Sequence, residues 1–379
     1  MHEQNKKFHI FISAAEPSAD AHCAGLIAAL KTNRDDIEFV GVGGPKMEAA
    51  GCELLENTVG KAVMIYKALA HLARYYKLIK RIENFLSDNK VNLVIVCDSP
   101  SFNFHVAKAA KKAGINTLFY VAPQLWAWGG WRIGKLRKYC DKLCCILLFE
   151  QDWFSSRGVN TTFVGNPLLD EVEASSLQKK DYSSFEPEKV KIALMPGSRM
   201  AEIDSLWIPM QQIALRIKEK YPAASFTTVA VDTERQKILK QKQITGFECH
   251  YTIDSVRETA RTNDFSIAAS GSATIEIAAA GCPLVIMYRS SKVLWHLLGR
   301  WIIKTKYLSL VNILAGKELV PEFMPYFDSI EPIANSIELL LQDRQKMNQI
   351  SGSLIELVKP LSRKRACTEI AKIVTEMLV

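Results

Sequence analysis

Short runs of β-branched and apolar residues alternate along the chain with stretches whose apolar positions recur at helical spacing. Residues 9–13, 39–42, 93–97, 117–121, 143–148 and 162–164 read as strands, and the segments between them as helices. That alternation implies a parallel sheet with helices on both faces, the doubly wound arrangement. The pattern lapses over residues 170–189, where Glu, Ser, Lys, Asp and Pro crowd together with little apolar periodicity, and this stretch reads as an interdomain linker. It restarts at 191–195, a strand opening into Pro196-Gly197-Ser198-Arg199, and continues with strands at 226–231, 265–269 and 284–287. The expected fold is therefore α/β, with two Rossmann-like domains over residues 1–170 and 190–331 and a cleft between them. Residues 332–379 read as helices without a strand, free to pack back on the first domain. No internal sequence repeat is visible, so the two lobes share only their element order.

A chain of 379 residues is too long for one ordinary core, which agrees with two domains. Its 48% hydrophobic and 23% charged content is that of an ordinary globular protein. The net charge of +8 favours an anionic partner: nucleic acid, a phosphorylated small molecule or an acidic membrane surface. No nucleic-acid-binding module is recognisable, and the basic residues are scattered or lie on amphipathic helices, which places nucleic acid last. Nine cysteines lack paired CxxC spacing and read as packed thiols; Cys140, Cys144 and Cys145 cluster, but at a helix end and in a buried strand. The polar start lacks the apolar core of a signal peptide, and no apolar run reaches the ~18 residues of a membrane span. The expectation is a cytoplasmic protein able to touch a membrane.

In doubly wound sheets ligands sit beyond the carboxyl ends of the strands, so the strand-to-helix turns are where chemistry is sought. The first is Ser13-Ala14-Ala15-Glu16-Pro17-Ser18-Ala19-Asp20. Its small residues admit a ligand to the backbone and the helix start favours an anion; equally, Ser18 or Asp20 can simply cap the helix, with Glu16 in solvent. The second, at residues 97–103, places Asp98 where it can take a proton from a sugar hydroxyl or cap a turn, and Asn103 one turn further on. Two carboxylates converging on one cleft favour the functional reading. Residues 122–130 then offer Gln124 as a polar contact and Trp126 and Trp128 as cleft wall or ordinary packing. In the second lobe, Gly197 permits close approach, Ser198 and backbone amides can bond phosphate oxygens, and Arg199 can neutralise a departing diphosphate. It is not a Walker loop, since no Gly-Lys-Ser/Thr follows. Its companion, Ser270-Gly271-Ser272-Ala273-Thr274-Ile275-Glu276, presents amides at 271–273 to phosphate and Glu276 to ribose hydroxyls. No metal-ligand cluster and no cofactor motif is evident.

Two segments suggest a lipid surface. Between Met64 and Lys80 apolar residues recur at near-helical spacing, with no acidic residue from Lys61 to Arg81; residues 292–306 mix Trp295, Leu297, Leu298 and Trp301 with basic residues. Each also suits a core-facing or interface helix.

Taken in order, several motifs resemble those of the lipid-A-disaccharide synthase family over nearly the whole chain. They are Gly41-Val42-Gly43-Gly44-Pro45-Lys46-Met47, the Asp98 to Asn103 segment, Pro123-Gln124-Leu125-Trp126-Ala127-Trp128, Val164-Gly165-Asn166-Pro167, Met195-Pro196-Gly197-Ser198-Arg199, Ser270 to Glu276, and Ser309-Leu310-Val311-Asn312-Ile313-Leu314-Ala315-Gly316. The resemblance implies an inverting glycosyltransferase of GT-B type. It would transfer 2,3-diacylglucosamine from UDP-2,3-diacylglucosamine to the 6-hydroxyl of 2,3-diacylglucosamine 1-phosphate (lipid X), giving the β-1,6-linked lipid A disaccharide 1-phosphate and UDP. With no metal-ligand cluster evident, metal-independent chemistry is expected, at the inner face of the cytoplasmic membrane, by a peripheral protein for which a homodimer is admitted. Asp98 would be the general base, with Glu16 and Asp20 orienting the acceptor or assisting. Ser18, Asn103 and Gln124 would contact substrate, Ser198, Arg199 and the Ser270–Ala273 turn the diphosphate, Glu276 the ribose, and Asn312 the donor. The chain departs from the family where Ala15 and Ala19 replace glycines of the first loop, Ser101 stands for a frequent Asp, Asn166 for His and Gly129 for Arg. The alternatives are a related sugar-nucleotide transferase or epimerase with another acceptor, and a non-catalytic UDP-sugar-binding homologue.

Overall fold

The computed structural model describes residues 7–59, 68–292, 295–299 and 303–378, with the backbone alone at 68–73, 174, 298 and 299. It divides into two compact units, Met1–Asp170 with Lys364–Val379, and Glu171–Arg363.

The first unit is built on a seven-stranded parallel sheet of β1 (Phe8–Ala14), β2 (Ile37–Gly43), β3 (Cys52–Asn57), β4 (Leu93–Cys97), β5 (Asn116–Tyr120), β6 (Lys142–Cys145) and β7 (Thr161–Phe163). Their spatial order is β3-β2-β1-β4-β5-β6-β7, so the direction of winding reverses between β1 and β4, where Ala14 lies beside Cys97. Every residue of β4 is buried, as a central strand covered on both faces requires. Helices α1 (Pro17–Asn33), α2 (Pro45–Ala49), α3 (Ala68–Asp88), α4 (Pro100–Lys112), α5 (Ile133–Tyr139) and α6 (Leu148–Ser155) make the crossovers. Proline opens α1, α2 and α4, where a missing N–H costs nothing and its fixed φ suits the first turn.

The second unit repeats the plan with β8 (Lys191–Met195), β9 (Ser225–Ala230), β10 (His250–Ile253), β11 (Phe265–Ala269), β12 (Leu284–Met287) and β13 (Glu322–Phe323), ordered β10-β9-β8-β11-β12-β13 and parallel throughout. Here the reversal falls between β8 and β11. Its helices are α7 (Met200–Lys220), α8 (Thr233–Gln241), α9 (Val256–Thr262), α10 (Ala273–Ala279), α11 (Leu310–Ala315), α12 (Glu331–Gln342) and α13 (Arg344–Val358).

Of the stretch read as a linker, 170–189, Asp170 belongs to the first unit and the rest is a packed part of the second. Tyr182 and Phe185 enter its core, the Tyr182 hydroxyl donates to the Asp264 carbonyl at 2.6 Å, and the Lys180 amide donates to Ser351 Oγ at 2.8 Å. Its few apolar residues are large and widely spaced, which hides them from a periodicity argument. The residues read as one C-terminal helical group part company: α12 and α13 stay with the second unit, while α14 (Ala366–Leu378) completes the first. Ala366, Ile370, Ala371 and Val374 of α14 join the core made by Cys23, Leu26, Ile27 and Leu30 of α1. Strands β3, β10 and β13 escape the sequence pattern because they lie at sheet edges, half-exposed and mixed in polarity.

The Asp170 carboxylate accepts from the Ala366 and Cys367 amides at 2.6 and 2.8 Å, the open N-terminus of α14. Asp170→Ala should therefore destabilise the protein by about 1–2 kcal/mol in urea unfolding, with Asp170→Asn losing less. No loss in Asp170→Asn would mean that the carboxylate charge contributes nothing at this helix start.

Candidate functional site

In the first unit the site is built where the winding reverses. Asp98 and Ser99 follow β4 with φ of 49° and 42°, and Val121 follows β5 with φ of 62°. The left-handed region is unfavourable for any residue with a side chain and worst for a β-branched one, so surrounding bonds must hold these turns. Asn103, fully buried on α4, does so: its Nδ2 donates to the carbonyls of Cys97 and Asp98, both at 2.8 Å, and its Oδ1 accepts from Ser13 Oγ at 2.7 Å. The Asp98 amide donates to the Tyr120 carbonyl at 3.0 Å, and Ser99 Oγ donates to Glu16 Oε1 at 3.3 Å. One network thus ties the ends of β1, β4 and β5 and brings Glu16 and Asp98 to one place. Asn103, read as a substrate contact, is instead the strut of the turn that presents Asp98.

Asp20 is corrected in the same way. It is 2% exposed, and its carboxylate accepts from the amides of Gly44 and Met47 through Oδ1 and of Lys46 through Oδ2, at 2.9 to 3.0 Å. Both oxygens are spent on the start of α2, which rules out a free catalytic acid and makes Asp20 a clamp between the first loop and the Gly43-Gly44-Pro45 turn. Ala19 packs into the core, so its methyl group does not narrow a ligand path. Ser18 is exposed, and Glu16 is half-buried. Asn166, where the family has His, accepts from the Leu168 amide and caps a short turn.

Beyond β5, Gln124 is exposed, and its backbone carbonyl accepts from the amides of Ala127 and Trp128. The buried Trp126 indole donates to Glu150 Oε1 at 2.9 Å, so Trp126 is wall and anchor together. The Arg132 guanidinium lies 4.3 Å from the ring centre of the half-exposed Trp128. Gly129 takes φ 75° there, and a Cβ would sit 2.5 Å from that guanidinium.

In the second unit the reversal brings together the turns after β8 and β11. Gly197 takes φ 101°, and the amides of Ser198 and Arg199 both donate to Glu202 Oε2, at 3.0 and 3.1 Å. The amides expected to meet phosphate are thus satisfied by the protein's own carboxylate, while the side chains of Ser198 and Arg199 stay exposed. After β11, Gly271 and Ser272 are exposed, Ser270 and Ala273 half-buried, and Thr274 Oγ1 donates to the Gly271 carbonyl at 2.7 Å, closing the turn. Glu276 is half-buried one turn into α10; burial first, and then the neighbouring Asp254 charge, push its carboxyl up to about 7 against the pull of Arg257. Asp254 sits just past β10 with φ 47°.

Asn312 is not free to contact a donor. It is fully buried, with Nδ2 donating to the Val320 carbonyl and Glu322 Oε2 and Oδ1 accepting from the Leu319 and Val320 amides, so it organises the approach to β13. Sequence reasoning missed Glu202, Glu150, Asp254 and Arg257. The first two left a trace, an acid three residues after a glycine-bearing turn and a lone acid ending an apolar run of sequence; the last two did not.

Of the lipid-surface segments, Met64 to Lys67 lie outside the described residues, as do the side chains of Leu69 and Leu72; Tyr76 of α3 is 70% exposed. In 292–306, Val293, Leu294, Arg300, Trp301 and Ile302 lie outside them, and Leu297 is exposed. Among the described residues no helix is long and apolar enough to cross a membrane, and no three His, Cys, Asp or Glu side chains are placed to share a metal ion.

A family model described as Lipid-A-disaccharide synthetase matches residues 10–377. The chain is 31% identical to the lipid-A-disaccharide synthase of Geobacter metallireducens over 97% of each chain, and 32% identical to that of Trichlorobacter lovleyi over the same shares. Among solved structures it is similar to an S. aureus MnaA–UDP complex, with a TM-score of 0.61 at 15% identity over 98% of this chain and 97% of that one, a likeness of fold.

Asp20→Ala leaves three backbone donors without their acceptor and should cost about 3 kcal/mol; Asp20→Asn keeps part of the clamp and should cost less, both read by denaturant unfolding. For Glu276 the folded carboxyl holds its proton to about 7, while the unfolded one loses it near the ordinary 4.5. Its contribution to stability therefore falls as pH rises between those values and is constant outside them. Glu276→Gln should gain on the wild type across that window and run parallel to it above pH 7; a pH-independent difference in unfolding free energy would refute the burial argument.

Proposed function

The chain belongs to the lipid-A-disaccharide synthetase family of glycosyltransferases, and we propose that it transfers 2,3-diacylglucosamine from UDP-2,3-diacylglucosamine to the 6-hydroxyl of 2,3-diacylglucosamine 1-phosphate. The observation that carries this reading is the strand-end turn of the first unit. There a strained backbone, braced by Asn103, holds a carboxylate at the reversal point of a parallel sheet beside a second carboxylate, Glu16.

In the proposed reaction Asp98 accepts the proton of the acceptor hydroxyl as its oxygen attacks the anomeric carbon opposite the diphosphate. The anomeric C–O bond breaks, the configuration inverts, and the electron pair leaves on UDP. Glu16, bonded to Ser99 beside Asp98, orients the acceptor. The second unit takes the nucleotide: Arg199, Ser198 and the Ser270–Ala273 turn meet the growing diphosphate charge, and Glu276 meets the ribose hydroxyls. The raised proton affinity of Glu276 lets it serve as donor or acceptor near neutral pH. Diacylated substrates reside in a bilayer, which suits a peripheral protein at the inner face of the cytoplasmic membrane; on α3, Lys77 is exposed, while Arg74 and Arg81 pair with Glu56 and Lys80 with Glu83.

The test is turnover with both sugars, following disaccharide and UDP together. Wild type should release them in equal amounts, and Asp98→Ala should lower kcat/KM by about 10²–10⁴ with UDP affinity unchanged. Sugar-nucleotide conversion without acceptor would point to an epimerase; UDP binding with no transfer would point to a non-catalytic homologue.

A further inference from the structure

The stretch from residue 99 to residue 140 holds seven lysines and arginines and no aspartate or glutamate. Two of the seven are neutralised within the fold, Lys111 by Asp141 and Lys112 by Glu83. Lys108 of α4 and Lys135, Arg137 and Lys138 of α5 are exposed, and among the described residues none of these four has an acidic partner. The two helices pack together, with Lys135 Nζ 5.7 Å from the ring centre of Phe104 on α4. His105, beside Phe104, is held below its ordinary range by burial first and then by the Lys135 and Lys108 charges. On α3, by contrast, Arg74, Lys80 and Arg81 spend their charge on Glu56 and Glu83. The unpaired positive charge of this unit is thus concentrated on α4 and α5, where an outside anion meets no competing carboxylate.

The loop that leads into α5 exposes apolar side chains. Trp131 is 72% exposed and Trp128 44%. The loop is fastened to the start of α6, since the Trp126 ring lies 5.0 Å from that of Phe149 and its indole donates to Glu150; there Leu148 is 49% exposed. A tryptophan is ordinarily covered over most of its ring. Indole rings left in water beside lysines and arginines are the pattern of a membrane interface, where the apolar body enters the headgroup layer and the cations meet lipid phosphate. A single-stranded nucleic acid also takes cations and aromatic rings. Here, however, the Arg132 guanidinium lies 4.3 Å from the Trp128 ring centre and takes a face a base would need, and Leu148 offers no stacking plane, so a lipid surface is the better fit.

We propose that the loop carrying Trp128 and Trp131, with the exposed lysines and arginine of α4 and α5, is the surface by which the first unit docks on an anionic bilayer, Trp131 entering the headgroup layer and Lys108, Lys135 and Lys138 meeting lipid phosphates. The inference rests on the peripheral membrane placement proposed above and is independent of which sugars are transferred.

The experiment is flotation of the full-length chain with vesicles of phosphatidylcholine, alone or mixed with phosphatidylglycerol, at low and high salt. Wild type should bind the mixed vesicles only. Lys135→Glu combined with Lys138→Glu should weaken that binding by about 10-fold or more at low salt, and less at high salt. The same double reversal at Lys237 and Lys240, exposed on α8 of the second unit, matches it in charge and spacing and should change binding by less than about 2-fold. Trp131→Ser should weaken binding about 5- to 10-fold at either salt. Lipid brominated along its acyl chains should quench the wild-type tryptophan emission, and Trp131→Phe should remove most of that quenching. Binding unchanged by the α5 and Trp131 substitutions would overturn the proposal and leave the membrane placement to other segments. Equal loss in the α8 control would reduce the effect to net charge and overturn it as well. Failure of the wild type to bind any vesicle would sink the membrane placement and this inference together. A single-stranded oligonucleotide held through Lys135 and Lys138 by a chain that binds no vesicle would make this a nucleic-acid surface instead.

Discussion

A parallel sheet imposes one constraint from which both candidate sites follow. Each strand must be re-entered from the same end, so every strand finishes at one edge, and the crossovers of the two halves lie on opposite faces. Where the winding reverses, neighbouring strand ends splay their following loops apart and leave backbone and side chains open to a ligand. In the first unit this falls between β1 and β4, in the second between β8 and β11. Glu16 and Asp98 in one case, and the 197–199 and 270–273 turns in the other, stand where they do because the strand order puts them there.

Topology alone does not hold a carboxylate in place. At the Asp98 turn the backbone adopts a conformation that costs on the order of 1–3 kcal/mol per strained residue, and the compensation comes from buried polar side chains that saturate the local carbonyls and amides. Asn103 secures the turn after β4, Asp20 the turn after β2, and Asn312 the approach to β13. Three residues of the type most readily taken for ligand contacts are therefore structural, each with its donors or acceptors consumed by backbone.

This division explains what could be read in advance. The central strands were legible because full burial demands an apolar run: β4, β8, β11 and β12 coincide with the expected 93–97, 191–195, 265–269 and 284–287. Of the edge strands only β7 was, at 162–164, since half-solvated positions as in β3, β10 and β13 tolerate any residue. The turns carrying Asp98, Ser198 and Glu276 were legible as small-residue breaks between a strand and a helix. The fate of the side chains within them was not, because a motif records residue type and spacing, while the split between clamp and contact depends on which backbone groups need a partner. Asp20 and Glu16 sit four residues apart at the start of α1, and only the distant Gly44, Lys46 and Met47 amides decide that the former is a clamp. Glu150 was hidden for the same reason, its partner Trp126 lying on another crossover.

The two units also manage negative charge differently, and the contrast bears on how each meets its ligand. In the first, burial and then the Asp98 charge raise the hold of Glu150 on its proton, against the indole and amides that bond it. In the second, the turn suited to an anion already holds one, since Glu202 occupies the Ser198 and Arg199 amides. Any anion that takes those two amides displaces a carboxylate rather than water, and the carboxylate must then find solvent or a cation. The Arg199 guanidinium lies 3.5 Å from Glu202 and is exposed, so it provides that counter-charge whether the carboxylate or a phosphate is seated. An arginine at this position thus pays the loop's electrostatic cost in both states, a reason for its charge that holds before any diphosphate arrives.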